Sequence, residues 1–274
     1  MGERWASARR QYAYAVVLIR ELVATDFRMK YQSSVLGYVW SLLRPFFMFA
    51  IMYAFFGIFL GTGNGIPHYS SYLLLGILLW NFFAEVTGQG VQSVVAQASM
   101  LRKIHFPKYV IVLSVSVTAL INLAISFIVL GVFMVTLGAD VRWASFLVIL
   151  LVAELALLAI GMSFFLSALY VKFRDASYIW EIALQAGFYV TPVFYVMSFV
   201  QAKSLFVAAV LMSNPIAQVI QDARYLMITK QTTVTEDVFS TGWYRLVPIA
   251  TDLVVAALSI WYFKRQAPLF AEAV

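Results

Sequence analysis

The sequence predicts an all-α polytopic membrane protein. It should have six transmembrane helices, an N-terminal amphipathic interfacial helix, and short re-entrant helices between the fifth and sixth spans. The first observation behind this is composition: of 274 residues, 63% are hydrophobic and 12% charged, with a mean hydropathy of +0.87. A soluble domain carries about a quarter charged residues. The second is the recurrence of apolar runs near the ~20 residues that cross ~30 Å of hydrocarbon. They fall at Gly37–Leu60, Tyr69–Thr87, Tyr109–Leu137, Trp143–Val171, Tyr178–Met197 and Leu246–Phe263. The third is charge asymmetry. With the N-terminus in the cytoplasm, that side holds Arg4, Arg9, Arg10, Arg20, Arg28, Lys30, Arg44, Arg102, Lys103, Lys108, Lys172, Arg174, Lys264 and Arg265. The outer side holds only Arg142, Lys203, Arg224, Lys230 and Arg245. Cytoplasmic loops carry the excess of Lys and Arg, so both termini are placed in the cytoplasm.

Residues 1–36 form a cytoplasmic N-terminal region. MGERWASARRQ lacks the apolar stretch of a signal peptide. From Tyr14 to Gln32, Val16, Ile19, Val23 and Phe27 fall at helical spacing, with Glu21, Thr25, Arg28 and Gln32 opposite. Such a helix lies along a surface, with its stripe in the acyl boundary or against protein. The chain then enters the bilayer through DFRMKYQSSVLGYVWSLLRP. Its cations stay at the headgroups and its Trp and Tyr at the interface, before fifteen residues without a charge.

The membrane domain covers residues 37–264 and ends in a short cytoplasmic tail, 265–274. The first outer connection, GTGNGIPH, is a glycine-rich tight turn. Residues 89–108 are too polar to cross and too long for a turn. They read as a cytoplasmic helix ending before Pro107, with Met100, Leu101, Ile104 and Phe106 as an exposed apolar knob beside Arg102 and Lys103. Both docking to a soluble partner and anchoring in lipid suit that knob. After the fifth span ends at Thr191-Pro192, Val193 to Met212 remains apolar and aromatic, and an outer re-entrant region covers 198–243. Asn214-Pro215 reads as an N-cap with proline at the first helical position, opening a helix with Ile216, Val219, Ile220, Ala223 and Met227 on one side. Short helices dipping into the outer leaflet fit this composition. Irregular backbone at that depth must be covered by protein or line a wet cavity.

Catalytic chemistry finds no support. There is no Cys, and His68 and His105 lie in different loops, so neither disulfides nor a metal site are expected. GxSxG, HExxH and the G-x-x-x-x-G-K-[ST] phosphate loop are all absent. If ATP is used, another polypeptide binds it with its Mg, and this chain carries no cofactor. The net charge of +6 is accounted for by cations flanking spans, so nucleic acid is not an expected partner. Glu85, Asn122, Glu154, Glu181 and Asp252 fall inside predicted spans, where an ionisable residue is costly in lipid and suggests function. No two of them form a recognised motif. The aromatic content, 23 Phe, 15 Tyr and 7 Trp, exceeds what interfacial belts need. Tyr53 and Phe56 on the first span, with Trp180, Phe188, Tyr189, Phe194 and Tyr195 on and after the fifth, would offer flat faces and polar tips to sugars.

Several blocks, in order, resemble one family: DFRMKYQSSVLGYVWSLLRP, LLLGILLWNFFAEVTGQG, ASMLRKIHFPKY, YVKFRDASYIWEIALQAGFYVTPVFY and NPIAQVIQDAR. Together they look like the permease subunit of type-2 ABC exporters for lipid-linked polysaccharides, a group that includes O-antigen, capsule and teichoic-acid exporters. The resemblance implies a homodimer in the bacterial inner (cytoplasmic) membrane, working with two copies of a cytoplasmic ATPase. It implies that Ser99, Met100, Leu101, Arg102, Lys103, Ile104, His105 and Phe106 couple to that ATPase. It also implies that the first and fifth spans line a channel through Tyr53, Phe56, Trp180, Phe188, Tyr189, Phe194 and Tyr195. The substrate would be a sugar polymer on polyprenyl pyrophosphate, with Arg28, Lys30, Arg44 and Arg174 as pyrophosphate contacts where the lipid end enters. Three other functions are distinguishable. A small-molecule exporter of the same architecture needs a closed apolar pocket, a polyprenyl-phosphate enzyme needs carboxylates near Arg28 or Arg174, and an ion-coupled carrier would depend on Glu154.

Overall fold

A computed structural model describes residues 2–31, 37, 39–63, 65–103, 106–138, 143–239, 244 and 246–270. Twelve α-helices occur among them. The long ones are α1 (Gly2–Tyr31), α2 (Val39–Met52, continued by a π-helical turn, Tyr53–Phe59), α3 (Tyr69–Ala96), α5 (Tyr109–Thr136), α6 (Val148–Lys172, entered through a 3-10 turn, Trp143–Leu147) and α12 (Leu246–Gln266). Between them lie α4 (Ala98–Lys103), α7 (Ala176–Val190), α8 (Met197–Lys203), α9 (Leu205–Met212), α10 (Pro215–Met227) and α11 (Thr235–Val238). Among the described residues five helical segments are long and apolar enough to cross a membrane, and the α9–α10 pair, bent by 95°, is apolar enough to count with them. The protein is therefore an all-α multi-pass membrane protein.

The axis of the bundle is α3. Every residue from Ser71 to Trp80 is buried, as expected of a helix apolar all round. Around it pack α2, α5, α6, α7 and α10, with α12 against α6. Small residues permit the closest approaches: a Cβ on Gly161 of α6 would stand 2.9 Å from Ala256 Cα on α12. Ser163 donates 2.8 Å to the Val86 carbonyl, joining α6 to α3.

Spans one, three, four and six match the sequence expectation to within a few residues; two others depart from it. The second span does not stop at Thr87. α3 continues unbroken to Ala96, so the separate loop helix expected over 89–108 is in fact the last turns of α3 followed by the short α4. The glycines at 88 and 90 do not break α3, because Gly90 abuts Ser163 of α6 and Val91, Ser93 and Val94 are buried. The fifth span is short: α7 is 15 residues and stops at Val190, at the expected Thr191-Pro192 break and short of Met197, about 22 Å of helix. Thr191 is extended, as the residue before proline must be.

At the N-terminus, α1 is packed on protein. Ala15 and Leu22 are buried against Val110 of α5, with Leu18, Ile19, Met100 and Phe106 around them. The buried stripe shares Ile19 with the expected Val16, Ile19, Val23 and Phe27 set but runs through Ala15 and Leu22, and Val16 is exposed. The glycine-rich connection turns tightly as expected, with Gly61 and Gly65 at positive φ. At α10, Asn214 caps as expected, its Oδ1 accepting from Ile216 N at 3.0 Å.

Candidate functional site

Topology places the starts of α5, α7 and the ends of α6 and α12 at one end of the bundle. Lys108, Lys172, Arg174, Lys264 and Arg265 cluster at these ends. α10 and the α7–α8 connection lie toward the other end, against the first turns of α3 and α6. Between α2, α3 and α7 a surface joins the two ends.

Rings mark that surface. Phe194, just past the α7 break, meets Phe56 of the π-helical turn at 4.8 Å, Tyr195 at 5.3 Å, Phe188 at 5.8 Å and Tyr189 at 6.0 Å. Phe188 meets Trp80, Trp80 meets Phe83, and Phe83 meets Trp180, at 6.0, 5.9 and 6.3 Å. On the α2 side Tyr53 stacks on Phe49 at 5.7 Å and reaches Tyr69. The ring contacts join six of the seven sequence-predicted aromatic residues into one series, while Tyr53 belongs to a second set with Phe49, Tyr69 and Tyr72, tied to the first where the Tyr69 hydroxyl donates to the Phe194 carbonyl at 3.0 Å. They do not give them one role, because Phe188 is buried between Trp80 and Phe194. Its ring backs the more exposed neighbours. Tyr189 is exposed, and Tyr53, Phe56, Trp180, Phe194 and Tyr195 are half-buried.

Two clefts open beside these rings. The larger, about 920 Å3, lies between α2, α3 and α5 with Trp40 and Arg44 on its wall. At its base Glu85 Oε1 accepts from Asn122 Nδ2 at 2.8 Å and from Gln89 Nε2 at 3.2 Å. The smaller, about 570 Å3, lies between α3, α6 and α7 and is lined by Gln92, Arg174, Trp180 and Glu181. Gly88 and Leu184 belong to both clefts, so they form one trough. Its walls alternate apolar groups with amides, hydroxyls and two guanidinium groups, which suits a ligand with both apolar and hydroxylated parts. Of the four predicted entry cations, Arg44 and Arg174 reach this trough. Arg28 sits exposed on α1, and the Lys30 side chain lies outside the described residues.

Three residues of the expected apolar knob, Met100, Leu101 and Phe106, turn toward the bundle. Leu101 is buried with Val94, Ile111 and Val171, and Met100 and Phe106 pack against α1 and α5. Ser99 is exposed. The side chains of Arg102, Lys103, Ile104 and His105 lie outside the described residues. Met100 and Phe106 hold α1 to the bundle where the chain turns back from α3 into α5.

Arg224, expected on the outer side on the helix opened by Asn214-Pro215, is fully buried on α10. Its Nε donates 3.0 Å to Tyr72 O, Nη1 donates to Pro192 O at 2.7 Å and Gln221 Oε1 at 3.0 Å, and Nη2 donates to Val193 O at 2.5 Å. The guanidinium lies 3.7 Å from the Tyr72 ring. These bonds satisfy carbonyls freed where the chain breaks at Pro192, a matched use of a rigid donor fork. Its register carried a signal: Arg224 is four and eight residues after Ile220 and Ile216, on the buried face. Asp222 on α10 and Asp252 on α12, both buried, interact electrostatically with Glu154 of α6. The sequence alone separated these three.

Comparison with known proteins places this architecture. Residues 17–228 match the family described as ABC-2 type transporter. The chain is similar to the O-antigen export system permease protein RfbA of Myxococcus xanthus, 27% identical over 97% of this chain and 98% of that one. It is similar to a protein of the same name from Klebsiella pneumoniae at 25% identity, over 94% and 95%. A second Klebsiella pneumoniae protein of that name is 28% identical over 78% and 82%.

Proposed function

The chain belongs to the ABC-2 type transporter family, and from that premise we propose that it is the transmembrane subunit of an ATP-driven exporter of polyprenyl-pyrophosphate-linked polysaccharide. O-antigen is the first expectation and teichoic acid the second. The supporting observation is the similarity, end to end in two cases, to permeases named for O-antigen export. It functions as a homodimer in the inner membrane, its termini and basic helix ends in the cytoplasm. A separate ATPase, two copies per dimer, binds ATP and Mg and does the hydrolysis; this chain makes and breaks no covalent bond.

In this reading the lipid-linked end arrives at the cytoplasmic headgroup level, where Arg44 and Arg174 hold the pyrophosphate by charge-assisted hydrogen bonds. The trough offers its apolar walls to the prenyl chain and the Glu85, Asn122 and Gln92 side chains to sugar hydroxyls. The glycan follows the ring series toward Phe194. ATPase closure, transmitted through the segment around α4, opens the seam between the two copies.

The test is transport into inside-out vesicles that hold this chain, its ATPase and a lipid-linked glycan. ATP should drive glycan into the lumen, and an inactive ATPase should stop it. Glycan uptake by vesicles holding the chain alone, without ATP, would refute the proposal.

A further inference from the structure

One cavity shares no residue with the substrate trough. Between the basic ends of α5, α6 and α12 lies a slot of about 410 Å3, walled by Phe164, Ile260, Phe263 and Pro268. Its floor is rigid, because Phe164 and Phe263 pack edge to face at 4.8 Å and Phe263 meets Phe270 at 5.3 Å. The polar groups at its rim include two ammonium groups. Lys108 Nζ donates to the Ala267 carbonyl of the 3-10 turn that follows α12 (Ala267–Leu269) and lies 5.6 Å from the Phe270 ring. Lys264, in the last turn of α12, is exposed. Tyr109 stands beside them at the start of α5.

The chemistry of this slot selects its occupant. Apolar walls reject a glycan, whose hydroxyls would find no partners there. Two cations above an apolar slot, at the end of the spans where basic residues gather, complement a phosphodiester with an acyl chain beneath it. A zwitterionic headgroup would bring a cation of its own toward the two lysines. We propose that this slot is a binding site for an anionic phospholipid, of the phosphatidylglycerol or cardiolipin type. The phosphate lies between Lys108 and Lys264, and one acyl chain lies along Phe164 and Ile260. Because Lys108 also holds the turn after α12, the bound lipid fastens the end of α12 to α5. The proposal is independent of what the protein exports.

Thermal unfolding of the purified full-length chain in detergent tests it, with added phosphatidylglycerol, phosphatidylcholine or inorganic phosphate. Phosphatidylglycerol should raise the Tm, phosphatidylcholine should raise it less, and inorganic phosphate should leave it unchanged. Lys108→Gln also frees the C-terminal turn, so two other variants carry the test. Lys264→Gln should weaken the phosphatidylglycerol response about fivefold, the worth of one cation at an anionic headgroup. Ile260→Trp, which fills the slot without altering charge, should weaken it at least as much. Lys203→Gln, ending α8, should respond like the unaltered chain. Equal responses to the two lipids, stabilisation by inorganic phosphate alone, or full responses from both Lys264→Gln and Ile260→Trp would overturn the proposal.

Discussion

At Gly76 a methyl group would stand 2.8 Å from the Val193 carbonyl and inside the space taken by the Arg224 guanidinium. The glycine is needed for close approach, since its backbone is ordinary helix. Removing the fit leaves a buried cation or buried carbonyls without partners, each costly in a medium that offers no water. Gly76→Ala should therefore cost about 3 kcal/mol, read as a lower Tm in detergent. Arg224→Lys, which keeps the charge but loses the planar fork, should cost about 1–3 kcal/mol. If Arg224→Lys were as stable as the unaltered chain, the carbonyls at the α7 break would not depend on the guanidinium. The motif NPIAQVIQDAR displayed the cap and the apolar stripe plainly. It gave no sign that the arginine's partners lie at residues 72, 192 and 193, because those contacts are made across the fold.

Among the elements, α1, α4 and the start of α5 behave as one unit. Side chains expected to face a partner instead bind these helices together, and this alters what substitutions report. Phe106→Ala should loosen α1 from α5 and lower the Tm, so a loss of export in that variant would be structural. Ser99 is exposed on α4, so Ser99→Trp should leave the Tm unchanged while reducing ATP hydrolysis coupled to export by the assembled complex. Normal export by Ser99→Trp would remove this surface from the ATPase contact. α7 is the other element whose behaviour depends on context. At 15 residues it is shorter than the ~20 that span the hydrocarbon alone. The extended stretch at Pro192 and the bent α9–α10 pair complete the depth, and α10 is covered by α3, α6 and α12, as buried non-helical backbone beside it requires.

Across the whole molecule, α2 and α7 stay the least covered of the helices that touch α3. Tyr178, Ile179, Ile182, Tyr189 and Val190 are exposed on α7, and Ile51, Phe55, Ile58 and Phe59 on α2 and its π-helical turn. Lipid covers such faces as readily as protein, so a dimer through them is decided by experiment. Because the sequence has no cysteine, single-cysteine variants report without background. Ile182→Cys should cross-link to its own copy in membranes, whereas Leu258→Cys on α12 should not. Cross-linking through Leu258 alone would move the dimer axis away from the ring series.

The sequence by itself determined the class: apolar runs of spanning length, cations gathered at alternate connections, proline and asparagine at the breaks, and blocks that resemble one exporter family. These are local properties, written in hydropathy and in what a backbone can do beside proline, so they are readable one segment at a time. The tertiary structure alone decided which polar groups meet. Glu85 found Asn122 thirty-seven residues away, Arg224 was buried to hold the carbonyls at the break after α7, and Met100, Leu101 and Phe106 turned inward. In a bilayer-spanning bundle almost every face is apolar, so hydropathy does not distinguish a face turned to lipid from one turned to another helix. Packing makes that distinction.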